Sequence, residues 1–196
     1  NYDYWQSNDK AVSLVHTRLS IQDLSSNGNQ PMQSSSGRYV IIFNGEIYNH
    51  LELRNKLLKE KNFLKWKSSS DTETIIQLIE TYGFIKTLDL IKGMFAFCVF
   101  DKKENRIFLA RDKIGEKPLY YGKYNDIVMF ASELKAFKAN LSFKNEIDRN
   151  SISTFMYYGK IPAPLSIFKN VYKLLPGSYL EFNVSDKINL PKPKLY

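Results

Sequence analysis

Two apolar runs without alternating polar residues constrain the fold of this chain more than any other feature. Residues 39–43 read YVIIF, and residues 94–100 read MFAFCVF. Runs that are apolar on both faces and rich in aromatic or β-branched side chains are typical of strands buried inside a sheet. Both runs are too short to cross a bilayer as a helix. The sequence therefore predicts a sheet whose central strands are covered on both faces.

Two helices are predicted between these strands. Asn49 followed by Glu52, and Ser70 followed by Glu73, have the spacing of a capping box. Each pair precedes apolar residues at helical spacing, and Gly83 is placed to end the second helix. The first helix is therefore expected from Asn49 through Glu60, and the second from Ser70 to Tyr82.

Strands outnumber helices on both sides of this segment. Further strands are predicted at 11–16, 106–110, 119–124, 127–132 and 179–184, with a helical stretch at 133–139. Because the helices are grouped and do not alternate regularly with strands, the pattern favours an α+β layered sandwich over a doubly wound sheet.

The pattern of residues in the sequence changes near residue 148. Residues 1–147 are expected to form the main domain. Residues 148–196, with a short amphipathic segment, Pro162, Pro164 and a proline-broken end, are interpreted as the C-terminal part of the same domain and the lead-out to another one.

Composition narrows the class of function. The 196 residues contain one cysteine and two histidines, which argues against a disulfide framework or a zinc cluster and favours the cytoplasm. The net charge of +8 raises a basic nucleic-acid-binding module as an alternative. The lysines are spread along the chain, however, so a solvated surface is the simpler interpretation, and no nucleic-acid or membrane partner is expected.

Four short stretches carry the residues that could do chemistry: HTRLSI at 16–21, FNGEIYN at 43–49, SSSDTE at 68–73 and LARDKIGEKPLYYG at 109–122. In this order and spacing the sequence resembles, from about residue 12 to residue 196, the glutaminase domain of glutamine-dependent asparagine synthetases, which are class II (Ntn-type) amidotransferases. The resemblance implies a four-layer αββα sandwich of two antiparallel sheets flanked by helices, with no cofactor in this domain.

The resemblance also implies roles for individual residues. Arg18 would hold the α-carboxylate of glutamine. Asn44 and Gly45 would form the oxyanion hole. Glu46 and Asp71 would bind the α-ammonium group. The same glutamine pocket would include Leu19, Ser20, Ile21 and Gln22.

Simpler interpretations exist for several of these residues. Taken alone, Asn44 and Gly45 could form only a tight turn that ends the strand, Asp71 could cap the second helix, and Arg18 could lie on the surface. His16 and His50 have no neighbouring metal ligands in the sequence and are interpreted as structural or exposed.

The last motif is the least informative one. Arg111, Asp112, Lys113 and Glu116 belong to the family pattern, but no chemical step can be assigned to them. A salt-linked loop near a domain interface is the expectation for this segment.

The family mechanism requires an N-terminal cysteine, whereas residue 1 is Asn and Cys98 lies inside a predicted buried strand. We therefore expect this chain alone not to hydrolyse glutamine. The expected partners are glutamine and an absent synthetase domain that uses ATP and Mg²⁺, and a homodimer is left open. The alternative is a cysteine-less, non-hydrolytic relative that acts on another carboxylate or serves as a structural module.

Overall fold

The computed structural model describes residues 2–19, 22–61, 65–185 and 190–196. The strands are β1 (Tyr2–Gln6), β2 (Ser13–Thr17), β3 (Met32–Gln33), β4 (Tyr39–Ile47), β5 (Gly93–Asp101), β6 (Arg106–Arg111), β7 (Tyr120–Tyr124), β8 (Ile127–Ala131), β9 (Val171–Lys173), β10 (Ser178–Asn183) and β11 (Lys194–Leu195). The α-helices are α1 (His50–Glu60), α2 (Asp71–Tyr82), α3 (Phe84–Leu90) and α4 (Arg149–Tyr158), and two 3₁₀ helices span Ser26–Gly28 and Leu134–Ala139.

The two apolar runs lie at the centre of a six-stranded antiparallel sheet. Its strand order is β11-β10-β6-β5-β4-β3. β4 and β5 pair along nine residues each, from Tyr39 opposite Asp101 to Ile47 opposite Gly93. The prediction of buried central strands is therefore confirmed, because side chains on both faces of this pair are withdrawn from water.

One face of this sheet packs on the helices. Ile41, Phe43 and Phe97 from the sheet share a core with Ile75 and Ile79 of α2. The second predicted helix, α2, is capped at both ends as expected. The Ser70 hydroxyl accepts from Thr72 N–H at 3.2 Å, and Gly83 ends the helix at a φ of 84°. Burial of this apolar face, rather than helix propensity, holds α2 on the sheet.

The opposite face packs on a second layer of strands. Val40, Cys98 and Leu109 from the large sheet share a core with Leu14 of β2 and Tyr121 of β7. This second layer consists of the β1-β2 hairpin and a three-stranded antiparallel sheet of order β8-β7-β9.

The outer side of the three-stranded sheet is covered in turn. Phe137 of the second 3₁₀ helix is fully buried and packs with Phe143 and Val171. Helices, large sheet, smaller sheets and an outer helical segment thus follow one another as layers. The predicted α+β class, with antiparallel sheets flanked by helices, is confirmed.

One local prediction, the cap of α1, is wrong, and the set of predicted elements is incomplete. Asn49 makes no side-chain cap on α1; its amide instead donates to Leu90 C=O at 3.0 Å and accepts from Lys92 N–H at 2.9 Å. The predicted helical stretch at 133–139 is present as a 3₁₀ helix over Leu134–Ala139. The strands β1, β3, β9 and β11 and the helix α3 had not been predicted. Within the described residues, no helix combines the length and apolar character needed to cross a membrane.

Candidate functional site

Asn44 and Gly45 lie inside a strand and do not form a turn. β4 continues from the predicted end at Phe43 as far as Ile47, so the interpretation of Asn-Gly as a tight turn is wrong. Glycine is required here for close approach: a Cβ atom at position 45 would lie 2.1 Å from Met94 O. The two strand backbones could not pair at this separation around any other residue.

The backbone of Gly45 faces away from β5. Opposite it, Phe95 directs both polar groups to the other side: its N–H donates to Asp112 Oδ2 at 3.3 Å, and its C=O accepts from Asp112 N–H at 2.8 Å. In an antiparallel ladder such pairs alternate, so Gly45 and Phe95 form a pair without mutual hydrogen bonds. The Gly45 N–H therefore points to the outer edge of β4.

Neighbouring residues of the same parity confirm this direction. Phe43 N–H donates to Gln30 Oε1 at 2.6 Å, and Phe43 C=O accepts from His16 Nε2 at 3.1 Å. Ile47 N–H donates to Asp71 Oδ2 at 2.9 Å. Side chains from three distant segments thus line the edge of β4 on both sides of Gly45.

The Asn44 side chain lies on the face of β4 that is turned toward the three-stranded sheet. It is half-buried, and its Nδ2 donates to the Ser132 hydroxyl, which directly follows β8, at 3.2 Å. A carboxamide nitrogen carries two N–H donors. This contact orients the amide and uses one of them.

Asp71 is held at the first turn of α2. Only 5% of its surface is exposed, and its carboxylate accepts from Ile47 N–H, one residue after Glu46. Burial raises the pKa of Asp71, while the Ile47 hydrogen bond opposes that rise. The helix cap itself is supplied by Ser70. The buried carboxylate and the start of α2 are therefore tied to the end of β4.

Arg54 of α1 stabilises the turn that precedes Asp71. Its guanidinium donates to Ser68 C=O at 2.8 Å, to Ser70 C=O at 2.6 Å and to the Thr74 hydroxyl at 2.8 Å. It also lies 4.2 Å from the centre of the Trp66 ring. The position of Asp71 is therefore fixed by a contact from another helix.

Arg18 follows β2 and is half-buried. Its Nη1 donates to Ser25 C=O at 2.8 Å and to Asn29 Oδ1 at 2.9 Å, and its Nη2 donates to Asp23 C=O. These contacts use three of the five N–H donors of a guanidinium. Within residues 2–19, 22–61, 65–185 and 190–196, the other two donors have no acceptor, and two is the number of donors that a carboxylate accepts in a bidentate pair.

The other predicted pocket residues differ in placement. Gln22 Nε2 lies 3.5 Å from Glu46 Oε1, whose side chain is exposed at the end of β4. Leu19 is 82% exposed. Ser20 and Ile21 lie outside the described residues.

The structure adds three residues that sequence reasoning did not assign to the site: His16, Asp23 and Gln30. His16 contacts β4 directly, and burial lowers its pKa. Gln30 bridges Phe43 and Thr72, so it joins β4 to α2. Their signal in the sequence was limited to proximity to Arg18, because the acceptors and donors they meet belong to segments far away in the chain.

The loop after β6 corrects a prediction. Arg111 donates to three backbone carbonyls, those of Lys117 at 2.7 Å, Leu174 at 2.7 Å and Gly115 at 2.6 Å. Asp112 accepts from the backbone N–H groups of Phe95, Ile114, Gly115, Glu116 and Lys117. The loop is therefore closed by side-chain to backbone hydrogen bonds, and the expectation of a salt-linked loop is wrong.

Cavities agree only partly with this cluster. A small depression beside Arg18 is lined by Tyr2, Asp3, His16, Arg18, Asn29 and Gln30. A cavity of about 240 Å³ lies elsewhere, between the start of α4 and β9, and none of those predicted site residues that the structure describes lines it. We locate the candidate site by its converging polar groups, because those groups, and not the volume, select a small polar ligand.

Comparison with known proteins shows which class of protein this chain belongs to. A glutamine phosphoribosylpyrophosphate amidotransferase from Bacillus subtilis has the same fold, with a TM-score of 0.61 at 22% identity over 87% of this chain and 32% of that one. The sequence of residues 1–192 matches the family described as glutamine amidotransferase domain. The chain belongs to this family.

Curated relatives are longer proteins. A putative glutamine-hydrolysing asparagine synthetase of Methanocaldococcus jannaschii is 37% identical over 90% of this chain and 36% of its own length. Asparagine synthetase 1 of B. subtilis is 40% identical over 87% of this chain and 26% of its own length. Amidase chry2 of Gibberella zeae is 34% identical over 90% of this chain and 25% of its own length. The chain therefore spans about a quarter to a third of these relatives.

Proposed function

We propose that this chain is the glutaminase domain of a longer asparagine synthetase, and that it releases ammonia from glutamine for the ATP-dependent amidation of aspartate. The observation that carries the proposal is the arrangement at β4: the Gly45 N–H points to the outer edge of the strand, Ser132 orients the neighbouring Asn44 amide, and the buried Asp71 carboxylate binds the same edge at Ile47. Family membership and the similarity to asparagine synthetases support it.

Asn44 and Gly45 form the oxyanion hole in this proposal. Attack on the side-chain amide of glutamine converts its carbonyl oxygen to an oxyanion, which fixed N–H donors stabilise more than they stabilise the substrate. The Ser132 contact orients the Asn44 amide, and the strand pairing fixes the Gly45 N–H. Such donors are oriented before the reaction and need no reorganisation during it.

The amino-acid end of glutamine is bound by charge. The two remaining donors of Arg18 bind the α-carboxylate, and Glu46 with Asp71 binds the α-ammonium group. The two carboxylates differ in exposure. Glu46 is exposed, whereas Asp71 is buried and already accepts a hydrogen bond from Ile47 N–H. Leu19, Ser20, Ile21 and Gln22 complete the pocket in this proposal.

The attacking thiol belongs to a cysteine outside the 196 residues in this proposal. Cys98 is unsuited to the role, because it is 1% exposed in the core between the sheets. Burial raises the pKa of its thiol well above the ordinary value, so the nucleophilic thiolate is disfavoured. The thioester formed by the external cysteine would be hydrolysed to glutamate.

Ammonia then reaches an aspartyl-adenylate made in the synthetase domain, where ATP and Mg²⁺ are used. We propose that the two activities share one cytoplasmic protein. The longer length of the curated relatives supports a linked second domain.

The substitution Asn44→Ala in the full-length enzyme tests this proposal. We expect glutamine-dependent turnover to fall about 10²–10³-fold, because one oxyanion donor is lost. Ammonia-dependent synthesis should be unchanged. Asn150→Ala, on the exposed side of α4, is the matched control and should alter neither rate. Equal loss of both activities in Asn44→Ala would contradict the assigned role.

One observation supports an ammonia-accepting substrate other than aspartate. Amidase chry2 and amidase chyE are each 34% identical to this chain over at least 86% of it. The same domain would then supply ammonia to a carboxylate other than aspartate, or, without its cysteine, act as a structural module. Incubating the full-length enzyme with ATP, glutamine and aspartate, and measuring asparagine, distinguishes these alternatives.

A further inference from the structure

We propose that Asp23 is a positioning residue that fixes the two charged ends of the glutamine pocket relative to each other. The inference rests on the proposed function, since it concerns how the same site recognises the amino-acid end of glutamine. Asp23 does not contact the substrate in this proposal. It acts through Arg18 on one side and through Ser69 and Asp71 on the other.

The contacts of Asp23 reach three segments. Its Oδ1 accepts from Ser25 N–H at 2.8 Å and from the Ser25 hydroxyl at 2.6 Å. Its Oδ2 accepts from Ser69 N–H at 2.8 Å, across 46 positions of sequence. Its backbone carbonyl accepts from Arg18 Nη2. With 7% of its surface exposed, this residue is buried among the groups that it joins.

These contacts extend to the outer edge of β4, where the Gly45 N–H lies. Ser69 lies two residues before Asp71, and Asp71 accepts from Ile47 N–H at the end of β4. Ser25, the other partner of Asp23, gives its carbonyl to Arg18 at 2.8 Å. Hydrogen bonds therefore connect the guanidinium to Ser69 through Asp23, and two steps of backbone lead from Ser69 to the buried carboxylate of Asp71.

The connection through Asp23 depends on an ionised carboxylate. Hydrogen bonds from Ser25 and from the Ser69 backbone lower the pKa of Asp23 to about 2. Both oxygens act as acceptors, and together they receive three donors. An asparagine at this position keeps one acceptor oxygen and adds a donor group. The amide would face either Ser25 or Ser69 with the wrong polarity.

The chemistry of the substrate explains why this distance matters. The α-carboxylate and the α-ammonium group of glutamine share one carbon atom, so a pocket must meet both at one fixed separation. Displacing a binding group by about 1 Å can cost as much as 10²-fold in rate. Arg18 and Asp71 come from different segments, and Asp23 supplies the bridge between them.

The test uses Asp23→Asn in the full-length enzyme. We expect the KM for glutamine to rise about 10-fold, as expected when charge-assisted hydrogen bonds that orient a binding group are lost. The kcat of the glutaminase reaction should stay within about 3-fold, because the oxyanion donors of β4 are not contacted by Asp23. Ammonia-dependent synthesis should not change.

Asp101→Asn is the matched control. Asp101 is equally buried, at 3% exposure, and accepts from Arg38 and from two backbone N–H groups, but it lies at the opposite end of β5 from Gly93. It should lower the melting temperature without a selective rise in KM. If Asp23→Asn instead lowers all activities in proportion to its stability, as a purely structural role requires, the inference is overturned.

Two further variants sharpen the test, and the first of them keeps it decisive if Asp23→Asn folds poorly. Ser25→Ala removes one contact to Asp23 and should raise KM about 2- to 5-fold with kcat unchanged. In an Arg18→Ala background, Asp23→Asn should add less than about 3-fold to KM, because residues that act through each other are not additive. Wild-type KM in Ser25→Ala, or full additivity in the double variant, would overturn the inference. A wild-type enzyme without glutamine-dependent turnover would instead overturn the proposed function.

Discussion

Arg18 with Asp23 and Arg111 with Asp112 are two arginine–aspartate pairs that form the same kinds of hydrogen bond. They differ in the segments of the chain that they hold together. In both, the arginine donates to backbone carbonyls and the aspartate gathers backbone N–H groups. Most hydrogen-bond partners of the Arg111 and Asp112 side chains belong to the loop that follows them, and the exceptions are Phe95 and Leu174, the latter 63 positions from Arg111. Arg18 and Asp23 join segments that lie up to 46 positions apart.

Burial separates the two arginines further. Arg111 is 9% exposed, and its three acceptors are backbone carbonyls of the fold. Arg18 is half-buried beside a depression in the surface. The enclosed Arg111 is structural, whereas for the half-buried Arg18 we propose that the remaining donors are held in a fixed direction for a ligand.

The largest effect is expected for Arg111→Met. This change removes three hydrogen bonds and leaves buried carbonyls without donors, so the free energy of unfolding should fall by about 3–5 kcal/mol. Urea denaturation followed by circular dichroism measures it. The control is Arg106→Met on the same strand, whose exposed pair with Glu181 (2.6 Å) should be worth less than about 1 kcal/mol. Similar losses in both variants would remove the distinction between enclosed and exposed arginines.

A smaller effect, confined to binding, is expected for Arg18→Lys in the full-length enzyme. Lysine cannot donate to the loop carbonyls and to a carboxylate in one planar arrangement, so the KM for glutamine should rise about 30-fold, or about 2 kcal/mol. Stability should fall by only about 1 kcal/mol. Steady-state kinetics with glutamine and with ammonia measure the split. A stability loss as large as that of Arg111→Met would show that Arg18 is also structural.

Much of the fold could be predicted because its signals are local. The apolar run at 94–100 predicts a central strand by itself, and Ser70 with Gly83 delimits α2. Other elements depended on distant partners. Asn49 was predicted to cap α1, but the carbonyl of Leu90 and the N–H of Lys92 compete for its amide. The strand β4 continues through Asn44 and Gly45 because β5 pairs with it, which local turn propensity cannot indicate.

The candidate site shows the same division. Arg18, Asn44 and Asp71 were singled out by family resemblance, and their roles stay predictions. Asp23 and the backbone-binding role of Arg111 were not predicted, because their partners are main-chain groups, which every residue has. Side-chain identity alone therefore cannot show which backbone atoms a folded chain brings to an arginine or an aspartate.

The smallest expected effect is a difference between Asp71 and Asp112 in how stability depends on pH. Asp71 and Asp112 are both buried, but burial raises the pKa of Asp71, whereas hydrogen bonds from the backbone of Lys117, Glu116 and Gly115 outweigh burial and lower the pKa of Asp112. A raised pKa means that the folded state binds the proton more tightly, so Asp71 costs stability as pH rises above its ordinary value near 3.8. A lowered pKa has the opposite sign, so Asp112 adds stability that is lost on acidification.

Asp71→Asn should therefore change stability by no more than about 1 kcal/mol at pH 7, because the amide oxygen can still accept from Ile47 N–H. Relative to wild type, this variant should gain stability between pH 4 and pH 7, the window above the ordinary pKa of about 3.8. Asp112→Asn should lose stability relative to wild type as pH rises from about 2 to about 5, because a lowered pKa places the change below and around the ordinary value of about 3.8. Urea midpoints measured at several pH values give both slopes. Slopes of the same sign would mean that the Asp71 carboxylate, like that of Asp112, is stabilised by the backbone donors around it, and the contrast between a carboxylate kept for a ligand and one used by the fold would fail.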